Sequence, residues 1–552
     1  MASQTSETPT SLSFLGGLGE FGLNSCLIQH GSRSLLIDAC MMFSGSDMPG
    51  VDSIVPAFES VEPAALEAVL LTHGHDDHIG GVPFLLERAP AAVFGSPLTL
   101  ALAERRARER EVSVDLRALL PGQVQKLGPF TVHPIRVAHS VYDALAFVVE
   151  TPAARILWSG DFKFEGHGPD QQRTNTADLA AWGDRGIDVL LSDSTNVEVA
   201  GTTPAEDHVR PALDEIFAKT PGQILIACFA SSIPRMQVIA DLALQHGRSL
   251  GLVGRRVSEN AALAVERGLL RLPPAAATNP AAPAPGPNRR AWIVSGTQGE
   301  PLSALSLIAA GQHRDIRVGS GDTVVLSSRV IPGNERAVSH LIGNLLRCGC
   351  DVVHAGTAPV HVSGHASRGE LERMLALTRP NAFVPIHGEY RMLAQHARVA
   401  RQCGVPGDGI LIAEDGDLVG VDGTPPRRLG HRTLGRRLLD RSSSSEIEEE
   451  ILKDRRHLAR EGIVVPIIVL DRDSGRLESP PEFVTRGVFD DDLRDGLLQE
   501  AARVVQRTID ALSPAEHADT ALTRERLRLE LRRFFRRSLQ RRPMVIPVVM
   551  EV

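Results

Sequence analysis

The chain has 552 residues, of which 43% are apolar and 23% charged, and a formal net charge of -8. That length suits roughly three to four domains with buried cores, and the totals exclude a small disulfide scaffold, a wholly disordered chain and a membrane protein. The mild acidity excludes a surface uniformly coated in basic residues for nucleic acid, without bearing on a local basic groove.

The amino-terminal MASQTSETPT has no apolar core of a secretory signal, and no apolar run approaches the roughly 20 residues that span a bilayer. A cytoplasmic protein without membrane partners is the expectation. Up to residue 203, short apolar strands alternate with glycine-rich turns: Cys26 to Gln29, Ser34 to Asp38, Ala68 to Leu71, Ala92 to Phe94, Thr131 to Val137, Ala146 to Glu150, Ala154 to Ser159 and Val189 to Ser192. Gly17, Gly19 and Gly22 satisfy G-x-G-x-x-G, but the strand-like CLIQ that follows excludes a dinucleotide-binding turn, which needs a helix there, and favours a glycine-rich hairpin.

From 204 to 354 the pattern is that of an α/β unit with a largely parallel sheet, its strands at Gln223 to Phe229, Ser249 to Val253, Ala291 to Ser295 and Thr323 to Ser327. The Pro/Ala-rich stretch 273–287 within it reads as an exposed loop. Residues 355–440 hold a further strand, Ala382 to Ile386, and 441–455 read as a linker leading into a helix with acidic residues at its start. A last unit, 456–552, has a strand at Ile463 to Leu470, a turn at Asp473 to Gly475, two helices and a final strand from Met544 to Met550. Between Arg503 and Arg542, 11 arginines face 5 acids, a pattern that fits solvated or subunit-contact surface as well as nucleic-acid contact. Only Lys126, Lys163, Lys219 and Lys453 are lysines, a skew that base composition explains. The six cysteines, Cys26, Cys40, Cys228, Cys348, Cys350 and Cys403, contain no C-x-x-C pair and read as small apolar residues.

The chemistry concentrates in AVLLTHGHDDHIGG, residues 68–81, where a strand runs into His73, His75, Asp77 and His78. Imidazoles and a carboxylate crowded on a loop at a strand's end are what two adjacent metal ions require, and the lack of cysteine argues for an open catalytic site. Further ligands are expected after later strands: His139 beyond TVHPIRVA and Asp161 in the turn SGD. Each is weak alone.

In this order, the residues resemble the metallo-β-lactamase family. The resemblance implies an αββα sandwich, and it makes Asp38 a carboxylate supporting the ligand loop. SDSTN with Asp193, HVSGHAS with His361, Ser363 and His365, and PIHGEYR with His387 are similar to motifs of the β-CASP nucleases, which act on nucleic acid. LGGLGEFGLN, FASSIPRMQ, SGTQGEP, SSRVIPGNE and the terminal RRPMVIPVVMEV extend the resemblance to the bacterial ribonuclease J family, from about residue 11 to the end. Leu23 where many relatives carry a basic residue, Asp76 in place of Glu and the longer Pro/Ala loop depart from that pattern.

By this resemblance, residues 1–203 and 355–440 form the metallo-β-lactamase domain, 204–354 the inserted β-CASP α/β domain and 456–552 a small α/β domain. The resemblance also implies two Zn²⁺, or Mn²⁺, per subunit: one on His73, His75 and His139, the other on Asp77, His78 and His387, with Asp161 shared. Asp77, Asp38, Asp193 and His365 are the expected catalytic groups, with an activated water attacking phosphorus and His365 orienting the phosphate and protonating the leaving 3′ oxygen. The implied activity is 5′-to-3′ exonuclease and endonuclease action on RNA in RNA maturation and mRNA decay, leaving 5′-phosphates and 3′-hydroxyls. A pocket for a 5′-monophosphate end would draw on His361, Ser363 and His365, with Ser231, Ser232 and Ser328, which also read as turn or helix-cap serines. A homodimer or homotetramer and RNA-degradation partners are further implications. A lactam or ester hydrolase and a noncatalytic RNA-binding subunit are the rivals; the insert opposes the first and the full ligand set the second.

Overall fold

A computed structural model gives the structure of residues 9–44, 48–166, 173–273, 290–422, 425–440, 446–472, 474–489, 491–517 and 519–552. The Pro/Ala-rich stretch beyond Pro273, the linker residues Arg441–Ser445 and Asp473 of the expected turn lie outside the described residues. The chain divides into two compact units, Met1–Phe43 with Ile54–Arg437, and Ser44–Ser53 with Leu438–Val552.

In the first unit two sheets face each other. One runs from Arg427–His431 and Asp417–Gly420 through Thr10–Gly16, Ser25–His30, Arg33–Ile37 and Leu66–Leu70 to Ala92–Gly95 and Asp115–Ala118. The other runs from Gln125–Leu127 through Phe130–Arg136, Leu145–Glu150, Arg155–Trp158 and Val189–Asp193 to Ala382–Ile386. The period of two explains the layering. Phe147 and Val149 pack inward with Leu12, Ile28, Ile37 and Leu70 of the opposite sheet. Their neighbours Ala146 and Val148 pack outward against Leu179 and Trp182 of the helix Thr176–Arg185 and Leu371 and Met374 of Arg368–Thr378. Each fully buried valine, leucine, isoleucine, phenylalanine or methionine among them is worth about 1.5–3 kcal/mol. The helix Pro97–Glu109 packs on the outer side of the first sheet. The result is the αββα sandwich.

Thr10–Gly16 and Ser25–His30 pair antiparallel, so the glycine motif between them is a hairpin tip, as expected. The inserted sheet is wholly parallel among the described residues, in the order Ser249–Val253, Arg290–Val294, Ile224–Ala227, Thr323–Leu326, Asp351–His354. Its last strand carries no buried residue, which is why no apolar run announced it.

In the second unit Ile463–Leu470 alternates half-buried and buried residues, pairs antiparallel with Glu482–Arg486, and on its other edge pairs parallel with Met544–Val545 and Val548–Glu551. The expected single final strand is thus two pieces, with Pro547 between them, a residue lacking the N–H that a continuous ladder needs. Two long helices, Asp491–Asp510 and Thr520–Leu539, flank a short third one, Pro514–His517, that was not expected. Glu449 and Glu450 occupy the first turn of the helix Glu449–Glu461, where the helix dipole favours them.

Candidate metal centre

Each proposed ligand follows the carboxyl end of a strand, the edge at which α/β sheets place their ligands. Leu66–Leu70 leads to His73, Phe130–Arg136 to His139, Arg155–Trp158 to Asp161 and Ala382–Ile386 to His387, while Asp193 closes Val189–Asp193. Gly160 turns the chain at φ +58°, and a side chain there would sit 2.9 Å from the Leu145 carbonyl oxygen. Only glycine brings Asp161 in this closely.

His73 Nε2 lies 3.0 Å from His75 Nδ1, which lies 3.1 Å from His139 Nε2. Asp161 Oδ2 is 3.7 Å from His73 Nε2 and 3.9 Å from His139 Nε2. Donors about 2.0–2.1 Å from one tetrahedral ion would be about 3.3 Å apart, so the four atoms fit a divalent cation. The His139 ring donates through Nδ1 to the Gly364 carbonyl at 2.8 Å, which leaves Nε2 with a lone pair aimed at its neighbours. Burial, the largest influence on both, holds His73 and His139 well below the ordinary imidazole value, so they are neutral donors. Lone pairs facing one another in a buried space call for a cation.

A second group shares Asp161. His78 Nε2 is 3.3 Å from Asp161 Oδ2 and 3.8 Å from Asp77 Oδ2, and His387 Nε2 is 3.7 Å from Asp77 Oδ2. His387 Nε2 is buried without a hydrogen-bond partner among the described residues, an orphaned donor atom that a metal ion would satisfy. Burial alone would raise the carboxyl groups, but His78 holds Asp77, and His387 holds Asp161, below the ordinary carboxylate range. Against its own burial, His387 is pushed up to about 10 by Asp161 and Asp193. Such a clustered charge pattern is what a bound dication would replace.

Asp38, fully buried, accepts from Thr72 N and Thr72 Oγ1, both at 2.8 Å, and its Oδ2 accepts from His78 Nδ1 at 2.8 Å. It therefore orients His78 so that Nε2 faces Asp161. Asp38→Ala is expected to lower divalent-metal affinity about 10–100-fold, measured by competition with a chelating dye. Unchanged affinity would sink that role.

Beside the two groups, His365 Nδ1 donates to Asp193 Oδ2 at 2.8 Å and lies 3.9 Å from Asp161 Oδ2. Asp193 Oδ1 also accepts from Thr195 Oγ1 at 2.7 Å. Gly364 packs on His139: a side chain there would approach the His139 ring to 2.7 Å.

Besides His365, the five other proposed pocket residues lie on neighbouring segments. Ser231, Ser232 and Ser328 follow the carboxyl ends of the adjacent parallel strands Ile224–Ala227 and Thr323–Leu326. Ser232 occupies the cap position of the helix Ile233–Gln245, yet its side chain makes no capping bond. The Ser327 Oγ and Arg235 Nη1 both donate to the Val360 carbonyl, at 2.6 and 3.0 Å, which draws His361 to the same strand ends. His361 Nδ1 has no hydrogen-bond partner among the described residues, and burial lowers this imidazole to about 3. Ser363 Oγ accepts from Asn196 Nδ2 at 2.8 Å.

Several supporting residues escaped the motif reading. Arg235 is buried, pairs with Glu206 and reaches Ser327. Lys163 is fully buried and donates to the carbonyls of Pro204 and Ser363, each at 3.2 Å, tying the Asp161 loop to both ends of the insert. Glu370 accepts from Phe164 N, Thr203 N and Ser367 N at 2.8, 2.7 and 3.0 Å. The S-x-x-E pattern of a capping box at Ser367 was the one available signal.

Comparison with known proteins fits this geometry. Over 542 residues the chain is 38% identical to the protein named Ribonuclease J of Mycobacterium tuberculosis, covering 98% of this chain and 96% of that one. It is 33% identical to Ribonuclease J2 of Bacillus subtilis, over 98% of each chain. The chain belongs to the ribonuclease J family. The ribonuclease J family's beta-CASP domain matches residues 221–345 and its C-terminal domain 450–552. The metallo-beta-lactamase superfamily matches 18–196, and the Zn-dependent metallo-hydrolase RNA specificity domain matches 352–407. Helicobacter pylori Ribonuclease J is 31% identical over 97% of this chain and 78% of its own. A crystal structure of a protein of unknown function from Enterococcus faecalis is similar in fold, with TM-score 0.51 and 16% identity over 75% of this chain and all of that one. Among the described residues no helix is long and apolar enough to cross a membrane.

Proposed function

We propose that this chain is a cytoplasmic, zinc-dependent ribonuclease, with Mn²⁺ as the alternative metal, that removes nucleotides from 5′ ends and also cuts internally, leaving 5′-phosphates and 3′-hydroxyls in RNA maturation and mRNA decay. The observation that carries this reading is the sharing of Asp161 between two ligand groups, with the His365–Asp193 pair alongside, in a chain of the ribonuclease J family.

His73, His75 and His139 would hold one cation, Asp77, His78 and His387 the other, and Asp161 both. Bound there, the ions supply positive charge to the reacting phosphate and acidify water. The protein's own part is positioning and proton transfer. Burial disfavours a charged His365, but Asp193 outweighs it and raises the pKa of this imidazole, so a proton is available for the departing 3′ oxygen. Asp193 also fixes the ring, since the Nδ1–H it accepts leaves Nε2 as the exchanging atom. The C-terminal unit, on this reading, supports self-association into dimers or tetramers, and complexes with RNA-degradation partners follow from the same family reading.

The pocket of Ser231, Ser232, Ser328, His361 and Ser363, with His365 at its catalytic side, would receive a 5′-monophosphate, its short donors and the amino terminus of Ile233–Gln245 facing phosphate oxygens. Monophosphorylated RNA is expected to be shortened from its end at least about tenfold faster than 5′-hydroxyl or 5′-triphosphate RNA, as loss of one or two charge-assisted bonds implies. Equal exonucleolytic rates on all three ends would refute the pocket.

A further inference from the structure

The side chain of Asn196, three residues beyond Asp193, joins three segments. Its Nδ2 donates to Ser363 Oγ at 2.8 Å and to the His365 carbonyl at 3.1 Å, and its Oδ1 accepts from Arg329 Nη1 at 2.7 Å. Arg329 comes from the insert, immediately after Ser328 and just past the strand Thr323–Leu326. Gln298 Nε2 donates to its backbone carbonyl at 2.9 Å, so both ends of the residue are held.

Arg329 is nevertheless exposed, and among the described residues no carboxylate pairs with it. Arg391 and Arg379 of the same unit are neutralised locally, by Glu198 and Glu389 and by Asp184, whereas exposed Arg136, Arg336 and Arg347 also lack a carboxylate partner among the described residues. What distinguishes Arg329 is its bond to Asn196, which also bonds Ser363 and the His365 carbonyl. A guanidinium carries five N–H donors in a planar fork, and one bond to Asn196 leaves most of that fork for a phosphate. The residue is exposed, and its guanidinium is held by the same Asn196 side chain that bonds Ser363 and the His365 carbonyl. A packing role would need neither the charge nor the exposure.

We propose that Arg329 is a substrate-binding residue that grips a backbone phosphate of the RNA beside His365, with Asn196 as its positioning partner. The proposal rests on the functional reading above and adds a specific contact to it. Because Asn196 holds both Arg329 and the loop of His365, a phosphate seated on the insert is registered against the proton donor of the catalytic domain. This is how a strand lying between two domains can be presented in one register.

The test is the salt dependence of kcat/KM for 5′-monophosphorylated single-stranded RNA, measured on the metal-loaded full chain between about 50 and 200 mM salt. A lost phosphate contact on a single strand makes the slope of log kcat/KM against log salt shallower by about 0.7. Arg329→Gln is expected to show that change and to lower kcat/KM about tenfold at the lowest salt, mostly through KM. Arg329→Lys should restore the slope, because it keeps the charge, while recovering only part of the rate. Arg314→Gln, at a side chain 94% exposed elsewhere on the insert, removes the same charge and should leave the slope unaltered. A wild-type slope in Arg329→Gln overturns the contact and leaves Arg329 a bridge between domains. No RNA cleavage by the wild-type protein would overturn the functional reading itself, and the contact with it.

Discussion

Replacing Asp77 and His78 together by alanine is expected to lower RNA cleavage at least about 10³-fold. A metal ion stabilises a reacting phosphate by several kcal/mol, and each 1.36 kcal/mol is a factor of ten. The pair supplies two of the three donors that belong to the second group alone, leaving His387 and the shared Asp161, too few to hold an ion in an open site. The first group, His73, His75 and His139, is untouched, so bound metal measured by mass spectrometry should fall from two ions to one per chain. Removing His78 also takes from buried Asp38 its 2.8 Å partner and leaves it only the two Thr72 donors, so a lower melting temperature is expected as well. Near-normal cleavage with two ions retained would refute the assignment of the second group.

His365→Ala is expected to reduce kcat about 10²–10⁴-fold, the usual contribution of a general acid, with both metal ions retained. The second half of that statement decides between two roles. His365, Asp161, Asp193 and His387 also cluster closely enough to hold an ion, so a histidine acting as ligand would lose metal on substitution. The 2.8 Å bond from Nδ1 to Asp193 favours the proton donor, because it uses the nitrogen nearest that cluster. A substrate whose departing 3′ oxygen is replaced by sulfur needs no proton to leave, so it should recover most of the lost rate in His365→Ala. A defect of equal size on both substrates would refute the proton-donor role.

The inner strands and the ligand loop were legible because their signals are local. Ser25–His30, Leu66–Leu70 and Ala382–Ile386 are buried on both faces or nearly so and read as apolar runs, while His73, His75, Asp77 and His78 sit within six positions of one another. Strands such as Arg427–His431, exposed along its whole length, and Asp115–Ala118 carry no contrast between faces and were missed. The Arg235–Glu206 pair, the Lys163 bonds and the Asn196–Arg329 contact were missed for a different reason. Each joins residues separated by 29 to 200 positions, and nothing in either segment names its partner.

The sequence by itself determined which residue types stand at the ends of the inner strands, the parallel insert and the candidate metal donors, and through its family resemblance the sandwich. Alternating burial and short ligand spacing are properties of a few consecutive residues. Only the tertiary structure decided at what distance His387 stands from Asp77 and Asp161, that Asp193 fixes the His365 ring through Nδ1, and that an arginine of the insert bonds Asn196, which also bonds the His365 carbonyl. Those are matters of distance across the folded chain. Burial made them specific, since each buried polar atom had to find a partner wherever the fold supplied one.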